Sequence, residues 1–114
     1  MHGPNHPDFV VSLNNIAKIY SVQGRYTEAE PLYKRSLIIS EKIFGPDHPD
    51  VAVSLNNLAE LYRAEERYSD AEPLYKRSLT IIQKVLGPNH PDVATSLQNL
   101  AELYCNMGRY KALS

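Results

Sequence analysis

Leu55-Asn56-Asn57-Leu58-Ala59-Glu60-Leu61-Tyr62 stands at the middle of the chain, and two close copies flank it. The upstream copy is Leu13-Asn14-Asn15-Ile16-Ala17-Lys18-Ile19-Tyr20, and the downstream copy is Leu97-Gln98-Asn99-Leu100-Ala101-Glu102-Leu103-Tyr104. Each places Leu, then Ile or Leu, then Tyr at i, i+3 and i+7, with Ala beside the middle one. That spacing is the apolar stripe of a helix, not the alternation of a strand. Amides fill the gap between the apolar positions, so the same helix offers hydrogen-bonding groups on an adjoining face.

The copies belong to a longer period. His6, His48 and His90 are 42 residues apart, as are Gly3, Gly45 and Gly87, and Tyr26, Tyr68 and Tyr110. Residues 3–44 laid over 45–86 match at 25 of 42 positions. Self-similarity at such a period indicates stacked structural repeats.

Every copy opens with a linker, Gly-Pro-Asn-His-Pro-Asp at residues 3–8 and 87–92 and Gly-Pro-Asp-His-Pro-Asp at 45–50. Gly ends the preceding helix in a left-handed conformation, and the Pro after it stops continuation. The second Pro suits the first helical position, and Asp8, Asp50 and Asp92 favour the positive end of the helix dipole. The first helix of the middle copy is expected over Pro49–Ala64. Tight turns are expected at Gln23-Gly24-Arg25, Glu65-Glu66-Arg67 and Met107-Gly108-Arg109. The second helix of each copy then starts at Thr27-Glu28-Ala29-Glu30 or Ser69-Asp70-Ala71-Glu72, which read as capping boxes. Pro31 and Pro73 fall in the first turn, where they are tolerable. The helices run to about Phe44 and Leu86, with Glu30/Lys34 and Glu72/Lys76 in the favourable i,i+4 order. In the third copy, Lys111-Ala112-Leu113-Ser114 stands where a capping box is called for, so that copy stops early.

Composition narrows the function classes. With 114 residues the chain forms one unit or a short array. Twelve basic side chains against thirteen acidic ones provide no field for a nucleic-acid backbone. No apolar run is long enough for a membrane span, and residues 1–6 lack the apolar core of a signal peptide. The single Cys105 makes no internal disulfide, and a secreted scaffold of this size would usually carry several. A cytoplasmic protein is expected.

Leu55, Leu58, Ala59 and Tyr62, then Tyr68, Ala71, Tyr75 and Ser78, resemble the core pattern of the tetratricopeptide repeat (TPR) family. Gly24 matches the family's turn glycine, and Glu66 departs from it. The 42-residue period, the Gly-Pro-x-His-Pro-Asp linker and Leu-Asn-Asn-Leu-Ala resemble the repeats of kinesin light chain and of nephrocystin-type proteins. The resemblance covers nearly the whole chain. It implies an all-α fold: a right-handed superhelical stack of antiparallel helix hairpins, an α-solenoid of about two and a half repeats at 3–44, 45–86 and 87–114. The chain begins in a linker and stops inside a repeat, as a piece of a longer array, a shortened protein or a design would.

The resemblance also implies a function: protein–protein interaction through a concave groove lined by the first helix of each repeat, taking an extended peptide or a partner helix. It puts Asn15, Asn57 and Asn99 on that groove, with Asn14, Asn56, Gln98, Lys18, Glu60, Arg63 and Glu102 there or at its edge. A carboxamide donates and accepts together, so such a row would hold a peptide backbone in register. The same amides would also serve to bond neighbouring repeats. Members that capture a C-terminal carboxylate use cations in the groove, whereas Val11, Val53 and Thr95 occupy the expected positions here; chaperone-tail capture is not expected.

No catalytic residue, metal site or cofactor is expected. Histidines one repeat apart are too far from each other to share a zinc and read as helix-start residues. Lys34-Arg35 and Lys76-Arg77 read as solvated outer faces, and Cys105 as a bystander without a base. Tyr62, Leu58 and Tyr75 are core. Nucleic acid and membrane are not expected partners. The alternative to peptide binding is homo-oligomerisation, because the flank of the last helix (Leu97, Leu100, Leu103, Tyr104) lacks a cover.

Overall fold

The computed structural model describes residues 6–113, and the side chains of residues 6–108. Gly3 and Pro4 of the first linker, and the side chains of Arg109 and Tyr110, lie outside the described residues. Five helices follow one another: α1 (Pro7–Val22), α2 (Tyr26–Phe44), α3 (Pro49–Ala64), α4 (Tyr68–Leu86) and α5 (Pro91–Leu113). The bounds of α3 and the ends of α2 and α4 fall where the sequence places them.

Short connections fold neighbours back on each other. Contacts run from α1 to α2, α2 to α3, α3 to α4 and α4 to α5, with a lighter contact between α1 and α3. The described chain measures 53 × 36 × 18 Å. Its thin dimension admits two helix layers: the odd helices form one, α2 and α4 the other.

The helix starts follow from the linker chemistry. Nδ1 of His6, His48 and His90 accepts from the backbone N–H of Asp8, Asp50 and Asp92 at 3.1, 3.0 and 3.1 Å. The three histidines therefore cap α1, α3 and α5, satisfying one of the orphan N–H groups at each start. The even helices begin otherwise. The expected capping boxes do not form: α2 starts at Tyr26 with Arg25 as its N-cap, α4 starts at Tyr68 with Arg67, and neither cap makes a side-chain bond to the backbone. Thr27 and Ser69 already lie inside the first turn, two residues past the cap position. The arginines instead reach forward, Arg25 to Glu28 and Arg67 to Asp70.

The helix ends separate the glycines into two kinds. Gly24 has φ 77° and Glu66, its counterpart, φ 62°. Gly45 and Gly87 also have positive φ, but their ψ values of 167° and 154° take them out of the left-handed helical region. They occupy a region open essentially to glycine alone.

At Met107-Gly108-Arg109 the expected third turn is absent, and α5 runs unbroken to Leu113. The residue that would answer Arg109, as Glu28 answers Arg25 and Asp70 answers Arg67, is Ala112.

Among the described residues the buried apolar side chains form three clusters, the largest around Leu58, Tyr62 and Tyr75. Leu58, Tyr62 and Tyr75 are 4%, 6% and 2% exposed and pack with Tyr33, Leu61 and Leu103, as the core assignment requires. Between α2 and α3 small hydroxyl residues permit close approach. Ser40 Oγ lies 3.2 Å and Ser36 Oγ 3.5 Å from Ser54 Oγ. Ser78 Oγ of α4 donates to the Ala52 carbonyl of α3 at 3.0 Å. The buried serines Ser36, Ser40, Ser54 and Ser78 thus each have a partner, whereas the buried Tyr75 hydroxyl has none among the described residues.

Glu30 ties α2 to α3. Its carboxylate receives Tyr62 Oη at 3.2 Å and Arg67 Nη1 at 3.0 Å, and pairs with Lys34 Nζ at 2.7 Å. The hydrogen bond from Lys34, and after it that from Arg67, holds this carboxyl below its ordinary range against the opposing pull of burial. The second i,i+4 pair, Glu72/Lys76, closes at 3.2 Å. The Lys-Arg outer faces are not uniformly solvated. Arg77 donates to Glu41 at 2.9 Å and Lys84 to Asp47 at 3.0 Å, binding α4 to the end of α2 and its linker.

Candidate interaction groove

Two cavities open between successive odd helices, and they are counterparts one repeat apart. The first, of about 200 Å³ between α1 and α3, is lined by Val10, Val11, Asn14, Phe44, Asp50 and Val53, with Pro7 at its edge. The second, of about 230 Å³ between α3 and α5, is lined in part by Ala52, Val53, Asn56, Asp92 and Thr95, which are the residues 42 positions on from Val10, Val11, Asn14, Asp50 and Val53. Asn57, Ser78, Ile82, Ser96 and Asn99 complete it. Both combine apolar side chains with an amide and one aspartate, and the second adds the hydroxyls of Ser78, Thr95 and Ser96 and two further amides, the usual composition of a recognition cleft.

The predicted groove residues divide among four places. Asn56, Asn57 and Asn99 share the second cavity and Asn14 lines the first. Asn15 and Lys18 sit instead over a shallow depression beside Ile19, Val22 and Gln23. Arg63, Gln98 and Glu102 gather toward the turn end with Cys105, and Arg63 pairs with Glu102 at 3.6 Å. Glu60 is exposed and receives Asn56 Nδ2 at 3.5 Å.

The amides do not all point to a ligand. Asn99 Nδ2 donates to Asn56 Oδ1 at 3.2 Å, so this pair bonds α5 to α3. In the preceding interval Asn14 Oδ1 is buried and receives no hydrogen bond. Asn57 is half-buried and Asn15 exposed.

Val53, Thr95, Ser96 and Asp92 line the clefts although sequence reasoning did not choose them as binding residues. The signal was at hand: Val11, Val53 and Thr95 are the positions that lack a clamp cation, and the same 42-residue count leads from them to the cleft walls.

Around the clefts the electrostatics is mild. Burial pushes the Tyr33 and Tyr75 hydroxyls up, Glu60 adding to the effect at Tyr33 and Arg63 opposing it at Tyr75. Cys105 is exposed. Among the described residues no cluster of His, Cys, Asp or Glu is fit to hold a metal ion, and no helix is long and apolar enough to cross a membrane.

A tetratricopeptide repeat family model matches residues 8–82 and again 54–112. Among solved structures, a Podosopora anserina kinesin light chain-like protein of nearly identical TPR-like repeats is similar at 28% identity and a TM-score of 0.80. The match covers 93% of this chain and 50% of that one. BtubC (BKLC) from P. vanneervenii is similar at 28% identity and a TM-score of 0.80, covering 90% and 41%. The chain thus spans half or less of the length of these structures. No curated protein matches it.

Proposed function

This chain belongs to the tetratricopeptide repeat family, of the kinesin light chain-like type, and we propose that its odd-helix face binds an extended peptide or a partner helix. The family makes it a protein-interaction scaffold in general terms. The finer reading rests on one observation: two equivalent clefts recur at the repeat spacing, each lined by apolar side chains together with an amide and an aspartate. A ligand laid across α1, α3 and α5 would seat one side chain per cleft, while unspent amides such as Asn57 and Asn15 hold its backbone. Asn56 and Asn99 would act chiefly by fixing the wall they bond across. The repeat frame 3–44, 45–86 and 87–114, a non-enzymatic role and work in the cytoplasm without nucleic acid or membrane form part of this proposal.

The test is binding to an array of short peptides by wild type beside Asn15→Ala/Asn57→Ala. Signal lost in the double variant, with helicity and melting unchanged, supports the groove. Binding indifferent to both amides overturns it.

A second reading, homo-oligomerisation through the last helix, has its own observation. Leu97 and Tyr104 are 49% and 44% exposed, whereas their counterparts Leu55 and Tyr62 are 0% and 6%. Leu100 and Leu103, expected to share that bare flank, are buried at 8% and 0% on α4 and drop out of it. A molar mass that rises with concentration in wild type and not in Leu97→Glu would support this reading; a monomer at high concentration would remove it.

A further inference from the structure

At the opposite end, α1 carries a face whose covered version is visible elsewhere in the same chain. Val51, Leu58 and Leu61 on α3 are 0%, 4% and 1% exposed. The α1 residues 42 positions earlier, Phe9, Ile16 and Ile19, are 38%, 44% and 56% exposed. Ser54, which meets Ser36 and Ser40 of α2, corresponds to the exposed Ser12. So α3 shows what such a face holds when it is occupied: a helix of the α2 type.

The charges repeat the argument independently. Arg77 and Lys84 on α4 grip Glu41 near the end of α2 and Asp47 in the linker that follows, and Arg77 also lies 3.4 Å from the Pro46 carbonyl. Their counterparts on α2 are Arg35 and Lys42. Both are exposed, and neither meets a carboxylate among the described residues. An apolar patch, an exposed serine and two exposed cations without a carboxylate among the described residues therefore stand together at one edge of the molecule, each the image of a group engaged one repeat later.

We propose that this edge, formed by Phe9, Ser12, Ile16 and Ile19 of α1 with Arg35 and Lys42 of α2, docks a partner helix of the α2 type. The partner is amphipathic, presents small hydroxyl residues on its packing face, and carries one carboxylate near its C-terminus and another in the linker six residues on. The apolar patch supplies the contact area, and the two cations set register and direction, since they reach carboxylates only when the helix runs as α2 runs against α3. This edge adjoins the proposed peptide groove at Ile19, which shares a depression with Asn15 and Lys18, but its cations stand on α2 and its occupant is a helix packed on α1, so it does not depend on that groove.

The probe is a synthetic peptide of residues 26–48, containing α2 and its acidic linker, added to the intact protein. Saturable binding is expected, with amide shifts in NMR centred on Phe9, Ile16 and Ile19. Reversal of both cations, Arg35→Glu with Lys42→Glu, is expected to weaken binding roughly tenfold or more while largely keeping helicity, because neither side chain has an ion-pair partner among the described residues and Lys42 loses only its place in the last turn of α2. A peptide carrying Glu41→Lys and Asp47→Lys should restore binding to the reversed protein. No saturable binding, binding indifferent to the reversal, or shifts centred on Leu97 and Tyr104 would each overturn the proposal.

Discussion

Asn99 Nδ2 donates to Asn56 Oδ1 at 3.2 Å, yet the corresponding pair one repeat earlier, Asn57 and Asn14, is not joined, and Asn14 Oδ1 is buried without a donor. Equal residues at equal spacing thus do unequal work. A buried acceptor left unpaired already bears its desolvation cost, about 1–3 kcal/mol. Asn14→Ala should therefore be close to neutral in urea unfolding. Asn56→Ala should cost about 1 kcal/mol, because it strands the Asn99 amide. Equal losses from the two substitutions would contradict this reading.

Glu66 holds φ 62° where the first turn uses Gly24 at φ 77°. A side chain in that region costs about 1–2 kcal/mol. Glu66→Gly should raise stability by about 1 kcal/mol with no change in fold. Gly24→Ala should lower it by a similar amount, and through the backbone alone, because a Cβ at Gly24 would meet no atom within 4 Å. Paired denaturant midpoints for the two variants check both signs.

The Glu30 carboxyl is depressed by Lys34 first and Arg67 second. A group depressed on folding adds stability above its unfolded pKa, about 4.3, and that stability is lost as pH falls through the lower folded value. Wild type should lose part of its melting temperature below about pH 4.3. Glu30→Gln should be less stable than wild type near neutrality, and the gap should narrow in acid. A constant gap across pH would separate Glu30 from the effect.

His48 caps α3 through Nδ1. His48→Ala should cost about 1 kcal/mol by the general worth of an N-cap. His48→Asn, which restores a side-chain acceptor, should recover most of it. If Asn recovered nothing, the stacking of His48 on Phe44, at 4.4 Å between ring centroids, would be the larger contribution.

Helices, core and family pattern were legible because each is written in periodicity. Leu58, Tyr62 and Tyr75 are buried for the reason their spacing gives, and the linker histidines sit where Pro-Asp must begin a helix. The even-helix starts were not legible. Thr27 and Ser69 carry the letters of a capping box, but a shift of two residues decides whether a hydroxyl caps the helix or lies within it, and Arg25 and Arg67 took the cap position. The third turn misled for a related reason: Gly108 permits a turn without compelling one. As for the groove, repetition located the clefts but not the division of labour among the amides. Whether Asn14 finds a donor depends on small differences in how α1 and α3 stand, which no spacing in the sequence records.

Because the helices touch chiefly their neighbours along the chain, no long-range closure holds the two ends together. Such a stack loses order from its margins inward, and its local free energy of opening is graded. Backbone amides in the middle of α3, covered from both sides, will exchange with solvent last, while those of α1 and the far end of α5 exchange first. The molecule behaves less like a sphere that melts at once than like a short zipper that opens tooth by tooth.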